Sequence, residues 1–257
     1  MFLLLPGFSK AQRQTLDSLA NILPFLKNSA RVNCLNKLSI EYYKNALPAT
    51  YINVQTDSAV IFVTQAHSEA EKINYTRGIS HALQNLGKIA RDRNDFITAV
   101  KYFRPSVPLF EKINAMERYS WANLTLGWSL YQQWKFSEAK SAYERSMLFC
   151  ITAGNKERES MLLRMISYTY NSRGYNEKAF ECMLKTIRIT FIIHDARGVI
   201  SSSQNMANIY KYAGDQATAL AYFRLAAQNA KPNNPARYTG CWVTFVFYLI
   251  RRIQLVA

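Results

Sequence analysis

The chain has 257 residues, 49% of them apolar and spread along its whole length, which argues against long disordered stretches. Only nine glycines and seven prolines interrupt runs rich in Ala, Leu, Lys, Glu, Arg and Tyr, which points to helices joined by short turns. The formal charge of +15 attracts acidic partners of any class: nucleic acid, anionic lipid or an acidic protein face.

Residues 1–12 place a short apolar run before Ser9, Lys10 and Ala11, with small residues where signal peptidase needs them and no positive n-region. The segment reads either as the back half of a truncated export signal or as an apolar tail. The first reading places the protein in the periplasm or at a membrane, the second in the cytoplasm.

From there on the sequence repeats every forty residues. Ala59, Ala99, Ala139, Ala179 and Ala219 share one phase, and Val63, Phe103, Tyr143, Met183 and Phe223 follow four positions later. Small residues at Gly87, Gly127, Ser167 and Ala207 lie twelve before the last four alanines, and Ala90, Leu130, Tyr170 and Tyr210 stand three beyond them. Such spacing suits a helical hairpin, in which a small residue on the first helix lets the second approach and a large one fills the adjoining gap. Asn94-Asp95, Trp134-Lys135, Gly174-Tyr175 and Gly214-Asp215 fall at the turns, where Gly and Asn end helices and Asp caps the next.

The expected helix pairs are 30–44 with 56–73, 77–92 with 96–112, 116–132 with 136–152, 156–172 with 176–192, and 196–212 with 216–230. The first is irregular, because residues 46–56 insert a loop around Pro48. In the helix starting at Phe96, Pro105 and Pro108 each remove a hydrogen bond at a cost of about 3 kcal/mol, which predicts a kink or break after Phe103.

Residues 232–257 form an apolar, basic end. No acid occurs from residue 216 onward, while Arg224, Lys231, Arg237, Arg251 and Arg252 do. The run Gly240–Ile250 would reach about 16 Å as a helix, against about 30 Å of bilayer hydrocarbon, and reads as a capping helix or part of a membrane segment.

Chemistry finds little footing. Cys34, Cys150, Cys182 and Cys241 form no CxxC pair, and His67, His81 and His194 are isolated. The glycines are spent on the repeat phases, which leaves no phosphate loop. The expectation is a binding protein without catalytic residues, metal or cofactor.

The small, aromatic and alanine positions over residues 30–231 resemble the tetratricopeptide repeat family, with a period of forty in place of about 34. The resemblance implies an all-α fold, a right-handed α-α superhelix of about five hairpins, whose first helices line a concave groove. Carried over by phase, the groove positions are Gln84, Lys88 and Arg91; Leu124, Trp128 and Tyr131; Arg164 and Tyr168; and Gln204, Asn208 and Lys211. This basic, aromatic set suits an acidic peptide or helix of a partner protein. The alternative for Trp128 and Tyr131 is packing against the adjacent repeat. Phrases such as Leu35-Asn36-Lys37-Leu38 and Ala70-Glu71-Lys72-Ile73 are similar to bacterial arrays that precede histidine kinases or helix-turn-helix regulators, which implies a sensory or docking role in signalling. Two rival readings are a basic solenoid that binds nucleic acid and a sensor anchored in a membrane through residues 240–257.

Overall fold

The computed structural model describes residues 10–45 and 52–229, and among these there is no strand. Contacts between helices divide it into two units, one ending at Ala153 and one starting at Gly154. In the first, α1 (Lys10–Ile22) and a 3₁₀ turn (Leu23–Phe25) precede α2 (Asn28–Asn45) and α3 (Ile52–Lys72). Then come α4 (Thr76–Asp92), α5 (Phe96–Lys112), α6 (Met116–Gln132) and α7 (Phe136–Thr152). The second unit holds α8 (Lys156–Asn171), α9 (Asn176–Ile192), α10 (Ala196–Tyr212) and α11 (Gln216–Asn229).

A shorter rhythm underlies the forty-residue repeat. Left-handed backbone recurs every twentieth residue from Asn74 through Asn94, Asn114, Trp134, Gly154, Gly174 and His194 to Gly214. At Asn94, the Asn94 amide donates to the Arg91 carbonyl and the Asp95 amide to the Ala90 carbonyl, both at 2.9 Å, which satisfies two carbonyls of the ending helix. The same closure recurs where Ala115 donates to Phe110, Lys135 to Leu130, Tyr175 to Tyr170 and Asp215 to Tyr210. The next helix is then capped in several places. Asp95 accepts from the Thr98 amide, Asn155 from that of Arg158 and Asp215 from that of Thr218, each at 3.0 Å.

Consecutive helices pack as hairpins, α2 with α3, α4 with α5 and α6 with α7, and each hairpin packs on the next through α3–α4 and α5–α6. The second unit repeats the plan with α8–α9, α10–α11 and α9–α10. Size is reciprocal across the hairpin. A Cβ on Gly87 would stand 2.7 Å from the Phe103 ring, and one on Gly127 would stand 2.6 Å from Tyr143. Where the partner phase carries Met183 the small position is Ser167, whose hydroxyl donates to the Ala179 carbonyl at 2.8 Å. At Ala207 the partner phase carries Phe223, which is 39% exposed while Tyr222 beside it is fully buried. The last hairpin thus fills its core one residue out of phase.

Three expectations change. The predicted break after Phe103 does not occur: α5 runs through Pro105 and Pro108 to Lys112. Both prolines are exposed, as are Lys101 and Arg104, whose carbonyls they leave unbonded, so water meets those carbonyls while buried Phe103, Val107 and Phe110 hold the other face. Residues 52–56, expected in the loop, belong to α3, since no proline or glycine after Pro48 prevents it. And α1, which has no counterpart in the repeat, caps the first hairpin by burying Leu16 among Cys34, Leu35 and Leu38. It opens at Lys10, inside the expected export signal. The rest of that signal, Pro48 and the apolar run 240–250 lie outside the described residues. Among the described residues no helix is long and apolar enough to cross a membrane.

Candidate functional site

On α4 the residues Arg77, His81, Gln84, Lys88 and Arg91 follow each other at intervals of four and three, which places them on one helical face. α2 and α6 both pack on α4, one on each hairpin beside it, so this face lies among three first helices of the first unit.

At its C-terminal end the face forms a network across those helices. The Lys88 ammonium lies 4.7 Å from the centroid of the Tyr43 ring on α2, and the Arg91 guanidinium lies 5.9 Å from the Trp121 ring on α6. Arg91 Nε donates to Asp92 at 2.7 Å, and the Tyr43 hydroxyl donates to the same carboxylate. Burial holds the Lys88 ammonium below the usual lysine range, and the charges of Arg91 and Lys44 press it further. Burial also lowers Arg91. Arg91 is thus already paired with Asp92, whereas half-buried Lys88 has no ion pair among the described residues, and a further anionic group would relieve its opposition to Arg91 and Lys44.

Toward the N-terminal end, the His81 ring lies 5.7 Å from that of Phe110. Burial first, then the charges of Arg118 and Arg77, lower its pKa to about 4, so the imidazole is neutral at neutral pH. Arg118 of α6 reaches across to α4, where its Nη1 donates to the Gln84 side chain at 2.9 Å.

Not every expected groove residue stands open. Gln84 and Leu124 are buried, at 4% and 8% exposure, and Gln84 accepts from Arg118 of α6. Trp128 and Tyr131, both half-buried, stack on each other at 5.7 Å with ring planes 15° apart. Tyr131 continues to Phe136, and Phe136 meets Trp134 edge-on at 5.8 Å. Tyr131 therefore packs against the start of α7 in its own hairpin, and Trp128 packs on Tyr131. In the second unit Arg164 and Tyr168 are half-buried on α8, while Gln204, Asn208 and Lys211 are exposed on one face of α10.

The structure thus brings Lys88 and Arg91 together with residues that the sequence reading passed over, Tyr43, Lys44, Arg77, Arg118 and Trp121, and with His81, which it read as isolated. A signal existed for some of them. Stepping back along α4 from Gln84 by three and seven reaches His81 and Arg77, and Trp121 stands one period after His81. Among the described residues no group of three or more His, Cys, Asp or Glu is placed to hold a metal ion.

No protein-family model and no curated protein matches this sequence. Solved structures do. BtubC from P. vanneervenii superposes with a TM-score of 0.68 at 14% identity, over 88% of this chain and 96% of that one. The putative kinesin light chain TPR-like repeats of Podosopora anserina give 0.65 at 14% identity, over 79% of this chain and 97% of theirs. Aspartyl phosphate phosphatase F from Bacillus subtilis gives 0.62 at 14% identity, over 86% of this chain and 68% of that one. Likeness at such low identity speaks for the fold: the chain has the all-α helical-repeat fold of tetratricopeptide type.

Proposed function

We propose that this tetratricopeptide-type chain is a protein-interaction scaffold that binds an acidic segment of a partner along the α4 face, between α2 and α6. The observation that carries the reading is the row Arg77, His81, Lys88 and Arg91, with Arg118 beside it: His81, Lys88 and Arg91 are half-buried, the last two against Tyr43 and Trp121, while Arg77 and Arg118 are exposed. Half-buried guanidinium groups bind carboxylates strongly because each hydrogen bond is charge-assisted and little water competes. The aromatic rings supply contact area and hold the cations out of bulk solvent. Arg164, Tyr168, Gln204, Asn208 and Lys211 extend the reading to the second unit as further contact positions.

Similarity of fold to an aspartyl phosphate phosphatase from Bacillus supports a place in a bacterial signalling system, with this chain as the docking part. A second reading comes from the interleaving itself, because cations alternating with rings also suit single-stranded nucleic acid.

Fluorescence anisotropy with a labelled Glu-rich peptide, and with single-stranded RNA of equal length, distinguishes these. The Lys88→Ala, Arg91→Ala double variant should keep its helical circular dichroism and lose affinity for the peptide by at least about tenfold. Unchanged peptide affinity in that variant would remove the reading, and tighter binding of the RNA would replace it with the second.

A further inference from the structure

A crevice of about 370 Å³ opens between α5 and α7. Its base is Leu126 and Leu130 of α6, and its walls are Arg104 of α5 with Ser137, Glu138, Ser141 and Arg145 of α7. The α4 face contributes nothing to it. The volume falls at the lower end of the range for small-ligand pockets, and an apolar base with a few converging polar groups is their usual make-up.

The charges of the walls select the ligand. Arg104 Nη2 meets Glu138 at 2.6 Å, with both side chains about half exposed, so that pair is a surface bridge that holds its partners loosely. Arg145 forms no ion pair among the described residues; its Nε donates to the Asn123 side chain at 2.9 Å, which orients the guanidinium without neutralising it. Two cations and one carboxylate leave the crevice with a single positive charge. A monoanion balances that charge. A dianion would leave negative charge beside Glu138. Ser141 adds a hydroxyl that can donate to or accept from a ligand's polar atoms.

The repeat sharpens the point. One period earlier the positions of Ser137, Ser141 and Arg145 are Ile97, Lys101 and Pro105, and one period later they are Glu177, Glu181 and Lys185. Neither equivalent set pairs an arginine with a serine, so this crevice departs from the repeat.

We propose that the crevice between α5 and α7 is a binding site for a monocarboxylate carried on a small apolar body, the carboxylate meeting Arg145 and the apolar part covering Leu126 and Leu130. Such a group is supplied either by a free organic acid or by the C-terminal residue of a protein.

The test titrates full-length protein, labelled with ¹⁵N, with hexanoate and phenylacetate, with their amides, and with methyl phosphate, following the arginine Nε–H resonances. The expected result is a saturable shift of the Arg145 and Arg104 signals with both acids, weaker by about tenfold or more with the amides and in Arg145→Gln. The Lys88→Ala, Arg91→Ala variant should bind the acids unchanged, so this outcome stands or falls apart from the α4 reading. Peptides ending in Leu, with free or amidated C-termini, form the second arm. Tighter binding of the free-carboxylate peptide than of hexanoate identifies a protein C-terminus as the source, and the reverse order a free acid. Absence of saturation at millimolar acid, equal binding of acid and amide, tighter binding of methyl phosphate, or an unaffected Arg145→Gln would each overturn the proposal.

Discussion

Gly127 and Tyr143 show at the scale of single residues how a hairpin closes. The ring occupies the space where any other residue would carry its Cβ, so Gly127→Leu must displace a fully buried side chain. Overpacking of that kind costs about 1–3 kcal/mol, which urea unfolding should show as a lower midpoint. The Tyr143 hydroxyl itself is buried without a hydrogen-bond partner among the described residues. Tyr143→Phe removes a desolvated polar group and should raise stability by about 1 kcal/mol; a loss would show that the hydroxyl is bonded. His81 makes a pH-dependent prediction. Its folded pKa is about 4 against 6.5 ordinarily, so below pH 6.5 the unfolded chain takes up a proton that the folded chain refuses. Stability contributed by the neutral ring is therefore full above pH 6.5, falls as pH drops through the window, and levels off below about 4. Urea midpoints should decline less steeply across that window in His81→Gln than in the parent.

At the scale of elements, α5 carries two prolines that it does not need for its fold. A proline in a helix interior costs about 3 kcal/mol, and losing its stiffening of the unfolded chain costs about 1, so Pro108→Ala should gain about 2 kcal/mol in thermal or urea unfolding. No gain would show that the Arg104 carbonyl has another partner than water. Those prolines also mark the limit of reading helices from sequence. Proline chemistry predicts a break, but whether a break follows depends on the side the free carbonyls face, and that side is decided by packing. The forty-residue phases were legible because small and large residues must alternate wherever two helices close. Helix α1 was not, since it occurs once and has no second copy to be in phase with. The turn at Trp134 was placed correctly despite its residue. A tryptophan in left-handed backbone costs about 1–2 kcal/mol and is accepted because Lys135 still donates to Leu130. For the candidate site, phase put Lys88 and Arg91 on one helical face with Gln84, as they stand on α4. It missed the burial of Gln84 and Leu124, because phase tells which side of a helix a residue is on and not how near the next helix comes.

For the molecule as a whole, the charge of +15 becomes informative once its placement is known. Along α4 Lys88 and Arg91 are half-buried and Arg77 is exposed; Asp92 pairs with Arg91, while the charges of Arg91 and Lys44 raise the energy of Lys88, which a partner's carboxylate would offset. Binding should accordingly weaken as salt rises, but less steeply than for an exposed patch, since buried pairs are screened less. The most direct measurement is photo-crosslinking of the Glu-rich peptide to the full chain, with the linked residues mapped by mass spectrometry. The account predicts links concentrated around Tyr43 and Lys44 on α2, Arg77 to Arg91 on α4, and Arg118 and Trp121 on α6. Links falling mainly on α3, α5 and α7, with α4 unlabelled, would contradict it.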